Sequence, residues 1–144
     1  MEKDESAEGL LEYALRLVRR SELTCGQLRK KLLARGASSR IAERICQEMR
    51  ESGFIDDLRY CELFVSTHSE YGFKRMRMEL LKRGIERNLV EDVVVFDQED
   101  EIGKALELIR HWEPELEKEK VWGRLSRRGF TYSVIREALR RTCG

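Results

Sequence analysis

Apolar residues along this chain recur in pairs one helical turn apart, and the same arrangement is written three times around the pentapeptide Leu-x-x-Arg-Gly. The three copies end at Gly36, Gly84 and Gly129, which are 48 and 45 residues apart. Five, six, nine and ten positions past each glycine stand Ile41, Ala42, Ile45 and Cys46; Leu89, Val90, Val93 and Val94; and Val134, Ile135, Ala138 and Leu139. Two adjacent apolar residues on each of two successive turns make one stripe on a helix of period near 3.6. Eight and four positions before the glycines lie Leu28 and Leu32, Met76 and Leu80, and Val121 and Leu125, again one face of a helix. Each glycine therefore joins two helices, and is expected in the left-handed conformation that only glycine adopts without steric cost just past a helix end.

A further helix precedes each pair. The pattern predicts it over residues 10–20 around Ala14 and Leu17, over 57–69 around Tyr60, Cys61, Phe64 and Val65, and over 102–112 around Ala105, Leu108 and Ile109. Thr24 and Gln27 have the spacing of a capping box for the second helix of the first set. The expected architecture is all-α: three tandem three-helix repeats, residues 10–53, 54–96 and 97–144, after a flexible N-terminal segment, residues 1–9. Repeats of this length bury their stripes partly against their neighbours, which predicts an elongated, curved body.

Composition supports that reading. Pro114 is the only proline, and Leu, Arg, Glu, Lys and Ala, which lose little on entering a helix, dominate. No apolar run approaches a membrane span, and the N-terminus lacks the basic start and apolar centre of a secretory signal. Four cysteines without a Cys-x-x-Cys pair, and two distant histidines, predict a reduced, cytoplasmic chain that binds no metal or cofactor. Cys46 and Cys61 fall in apolar stripes and read as small core residues. Trp112 and Trp122 read as hydrophobic anchors flanking Pro114.

Net charge is only +1, but it is unevenly spread. Residues 14–44 carry nine basic and two acidic side chains, residues 71–88 six and two, and residues 120–144 seven and one. Local basic surfaces on a near-neutral protein meet phosphate weakly and with strong salt dependence. Arg35, Arg83 and Arg128 close their helices, where a cation interacts favourably with the macrodipole and the free carbonyls. The candidates for contact with nucleic acid or another partner are the cations opposite the apolar stripes: Lys30 and Lys31; Lys74, Arg75 and Lys82; Arg124 and Arg127. No glycine-rich phosphate loop, nucleophile–base pair or ligand-spaced cluster points to catalysis, so there is no candidate catalytic residue and the chain reads as a non-enzyme.

The segments ESGFIDDLRYCELFV, YGFKRMRMELLKRGI and LSRRGFTYSVIREAL, in this order, resemble the RecX family of recombination regulators, and the likeness runs from about Leu11 to Leu139. Cys61 stands where that pattern more often has alanine, and the stretch LELIRHWEPELEKEK is more acidic than the pattern. The resemblance implies a curved helical protein bound in the groove of a RecA-type recombinase filament on single-stranded DNA. It also implies that the protein modulates, mainly by inhibition, ATP hydrolysis, strand exchange and the stimulation of repressor self-cleavage in the SOS response. A monomer with no membrane partner is expected. Two other classes fit the residues: a free-standing DNA-binding protein, since helix, glycine turn and helix resemble a helix-turn-helix, and an adaptor that touches only protein.

Overall fold

The computed structural model describes residues 2–143, with side chains from Ala7 to Thr142. Among them nine α-helices and no strand occur, in three sets of three: α1 (Glu2–Arg20), α2 (Cys25–Ala34) and α3 (Ser39–Glu51); α4 (Asp57–Thr67), α5 (Phe73–Lys82) and α6 (Arg87–Val93); α7 (Gln98–Arg110), α8 (Lys118–Arg127) and α9 (Tyr132–Cys143). All three repeated glycines have positive φ, at 104°, 86° and 96° for Gly36, Gly84 and Gly129. Gly53 (φ 81°) adds a fourth such turn after α3, which the repeat pattern does not announce.

The first helix departs from its expected start. α1 begins at Glu2 rather than Leu10, so residues 2–9, read from sequence as a flexible lead, continue the helix. Gly9 is the weakest helix former in that stretch, and one glycine costs a helix only about 1 kcal/mol. α7 likewise begins at Gln98, because the Asp97 carboxylate accepts from the Asp100 amide and caps it. At α2 the capping box is formed: the Thr24 hydroxyl accepts from the Gln27 amide (2.9 Å) and the Gln27 side chain accepts from the Thr24 amide (3.0 Å).

Packing divides the chain into two compact units, one of residues up to Glu62 with Lys82–Glu86, the other of Leu63–Leu81 with Arg87 onward. The division passes through the middle set of helices, rather than between sets. In the first unit Leu10, Ala14, Leu28, Leu32, Ala42, Ile45, Cys46, Met49 and Ile55 form one buried cluster. In the second, Ile102, Ala105, Val121, Leu125, Phe130, Val134, Ile135 and Ala138 form another, with Trp112 and Trp122 partly buried against it. Both tryptophans thus serve as the anchors expected of them.

Each unit contains one copy of a joint between the start of a second helix and the Arg-Gly turn of the following set. In the first unit, the Thr24 hydroxyl donates to the Arg83 carbonyl, the Cys25 amide donates to the Asp57 carboxylate (2.9 Å), and a Cβ on Gly26 would lie 2.8 Å from Gly84 Cα. In the second, the Gly72 amide donates to the Arg128 carbonyl (2.7 Å), the Lys74 amide to Gly129 (2.9 Å), and the Phe73 amide to the buried Glu101 carboxylate (2.8 Å). Both joints satisfy amide donors that a helix start leaves without an intrahelical partner. They also cap the turn carbonyl from outside.

Candidate anion-binding groove

The second joint brings arginines together. Because α5 starts against the Arg128–Gly129 turn, Arg75 in its first turn lies beside the end of α8. Arg75, Arg124, Arg127 and Arg128 line one open groove with Glu70 and Tyr71, a space of about 460 Å³. Three of the seven cations picked from sequence therefore converge.

Their settings differ. The Arg75 guanidinium lies 4.3 Å from the centre of the Tyr71 ring, 3.5 Å from the Glu79 carboxylate, and donates to the Arg127 carbonyl (3.4 Å). It is half-buried and held on three sides, a setting that its place opposite the apolar stripe does not announce. Arg124 and Arg128 lie over Trp112, at 5.1 and 5.7 Å from its ring, and Arg124 is 3.9 Å from Glu113. Arg127 is exposed and has no ion pair among the described residues. Stacking on an aromatic face fixes a guanidinium plane while leaving its edge donors available. The groove thus offers oriented donors suited to a phosphate or carboxylate, with Glu70 the one acid in its lining.

Arg128 was read from sequence as a helix-closing cation, and it is the C-cap residue just past the end of α8. It also lines the groove, a role hidden because its other walls, Tyr71 and Arg75, come from more than 50 residues earlier. Arg35 closes α2 and lies 4.0 Å from the Tyr13 ring. The remaining candidates stand apart from the groove lining. Lys30 and Lys31 are exposed on α2 in the first unit, Lys74 is exposed on α5, and Lys82 is exposed at its last turn. None of these four lysines has an ion-pair partner among the described residues.

Nothing in the described part forms a metal cluster of three or more His, Cys, Asp or Glu side chains, and no described helix is long and apolar enough to cross a membrane. Among the described residues the one charged buried side chain, Glu101, is occupied by the Phe73 amide and by Lys104 (3.3 Å).

Known proteins share this fold. The pattern of the second three-helix domain of RecX matches residues 56–94. The regulatory protein RecX of Thermus thermophilus is 34% identical over 131 residues, covering 90% of this chain and 89% of that one. This chain belongs to the RecX family of regulatory proteins. The RecX of Deinococcus radiodurans is 29% identical over 144 residues, covering 96% of this chain and 70% of its own. In fold, the crystal structure of RecX from Lactobacillus salivarius superposes with a TM-score of 0.77 at 20% identity, covering 96% of this chain and 97% of that one. The all-α reading and the RecX resemblance both hold, and the helical sets described above are those of a RecX fold.

Proposed function

We propose that this RecX-family protein binds the filament that a RecA-type recombinase forms on single-stranded DNA and restrains it, slowing ATP turnover, strand exchange and the stimulation of repressor self-cleavage. The observation that carries the reading is the groove of Arg75, Arg124, Arg127 and Arg128, in a chain of regulatory kinship with no catalytic constellation among its described residues. Four convergent guanidiniums suit a phosphate backbone, whereas a helix that reads base edges needs varied donors and acceptors along one face.

The unpaired lysines Lys30, Lys31, Lys74 and Lys82 supply further weak contacts. Contacts of this kind add through effective concentration when they are carried on one chain, so a monomer without a deep pocket suffices. The protein acts in the cytoplasm, where the filament forms, without nuclease or ATPase activity of its own.

Binding is tested by titrating the protein against labelled single-stranded DNA, recombinase alone and the assembled filament. Tight binding is expected only with the filament, and its affinity falls as salt rises, because phosphate contacts release counterions. Equal affinity for naked DNA would make the protein a free-standing DNA binder. Equal affinity for recombinase alone would make it a protein adaptor.

A further inference from the structure

The first joint holds a pair of cysteines that the groove does not use. Cys25 opens α2, and its amide donates to the Asp57 carboxylate (2.9 Å). Its sulfur accepts from the Arg50 guanidinium at 2.7 Å. Cys46, on α3 and fully buried, places its own sulfur 3.6 Å from the Cys25 carbonyl oxygen, beside the start of α2. A thiol at the start of a helix, with a cation on its sulfur and a second thiol alongside, has the parts of a two-cysteine redox centre.

We infer that Cys25 is a peroxide-reactive thiolate and Cys46 its resolving partner, so that mild oxidation joins α2 to α3 through a Cys25–Cys46 disulfide. In the first step the Cys25 thiolate attacks one oxygen of hydrogen peroxide. The O–O bond breaks, Cys25 becomes a sulfenic acid and, with one proton taken up, water leaves. In the second, the Cys46 thiol attacks the sulfenic sulfur, the S–O bond breaks, and a second water leaves with the Cys46 proton. Two thiols are oxidised by two electrons and one peroxide is reduced to two waters.

The electrostatics run in the same direction. The hydrogen bond from Cys46 and the charges of Arg50 and Arg29, against burial and the Asp57 charge, bring the Cys25 thiol down to about 7. Cys46 is pushed well up, chiefly by the same hydrogen bond and by burial, so it stays a thiol until Cys25 is oxidised. Cys61 is also buried, its thiol pushed up to about 11 by desolvation and by Asp57 and Glu62, and it has no such cation. The Cys143 side chain lies outside the described residues. Cys25 is nearly covered, but Arg50, which caps its sulfur, is exposed, so a small oxidant reaches it through a displacement of that side chain.

The test is on the purified full chain: reduced protein is exposed to a few equivalents of hydrogen peroxide, blocked with an alkylating agent under denaturing conditions, and digested for mass spectrometry. A Cys25–Cys46 cross-linked peptide, reversed by dithiothreitol and formed while circular dichroism is unchanged, is expected. In Cys46→Ser, Cys25 should instead be captured as a sulfenic acid by dimedone. In Arg50→Gln, alkylation of Cys25 at pH 7 should slow by about fivefold to tenfold and its pH profile should move up, since thiolate fraction sets the rate. Oxidation confined to Cys61 or Cys143, with Cys25 and Cys46 recovered as free thiols from folded wild-type protein, would overturn the inference. So would a Cys25 alkylation profile that Arg50→Gln leaves in place.

Discussion

The two joints meet one set of physical demands with different residues. Both turn carbonyls, Arg83 and Arg128, accept a donor from the start of a preceding helix, but the donor is a threonine hydroxyl in one and a glycine amide in the other. In both, the first amide of that helix ends on a carboxylate from the next first helix, Asp57 in one and Glu101 in the other. Each approach is close enough to forbid a side chain, at Gly26 against Gly84 and at Gly72 against Gly129. The contact geometry therefore recurs while the sequence on its upstream side does not, and the Arg-Gly turn is repeated because it is the shared half. The turn at Gly36 has no such partner; a Cβ there would meet nothing within 4 Å.

The largest predicted effect breaks the second joint at its tightest point. Gly129→Ala places a methyl 2.3 Å from the Arg75 amide nitrogen in addition to the φ penalty, and should destabilise by about 3 kcal/mol or more by denaturant unfolding. Gly84→Ala, 2.9 Å from Gly26 Cα, should cost roughly 2 kcal/mol, and Gly36→Ala, with φ alone against it, about 1 kcal/mol. Equal costs at the three glycines would mean that the joints do not hold these turns.

Next come the carboxylates and the threonine. Glu101→Ala leaves the Phe73 amide without its partner and Lys104 without its counter-charge, a loss of about 2 kcal/mol. Thr24→Gly rewrites the first joint in the residue of the second. The Thr24 amide is already engaged by Gln27, so it cannot replace the lost hydroxyl, and a cost of about 1 kcal/mol is expected in a thermal melt.

The smallest effect is at Asp57. Burial pushes its carboxyl up, against the Cys25 amide hydrogen bond and the Arg50 charge. A carboxyl raised by folding favours the folded state when protonated, so its contribution is present at acid pH and is withdrawn as pH rises through the carboxylate range. Asp57→Asn, measured from pH 3 to pH 7, should remove that one component of the pH dependence and change stability at neutral pH little.

The helices, their glycine stops and the capping box were legible because each is written within a few residues: a stripe of period near 3.6, a helix-ending glycine, a threonine three residues from a glutamine. The joints were not, because their upstream halves, Thr24 and Gly72, share no residue type. The groove was half legible. Opposition to the stripe picked out Arg75, Arg124 and Arg127, but it did not show that Tyr71 and Glu79 hold Arg75. It also passed over Arg128, whose neighbours in the groove come from another repeat. Helical periodicity gives the direction in which a side chain leaves its own helix, and not what another part of the chain brings against it.

Restraint of a recombinase filament through the arginine groove is tested by the rate of ATP hydrolysis by a RecA-type recombinase on single-stranded DNA as the protein is titrated in. Wild-type protein should slow turnover at near-stoichiometric amounts. Arg124→Ala with Arg127→Ala, which leaves Arg75 and the second joint in place, should require at least about tenfold more protein while melting at the wild-type temperature, as two lost phosphate contacts of ~1 kcal/mol each would require. Undiminished turnover at saturating wild-type protein would contradict the regulatory reading, and equal inhibition by the double variant would place the contact elsewhere than in the groove.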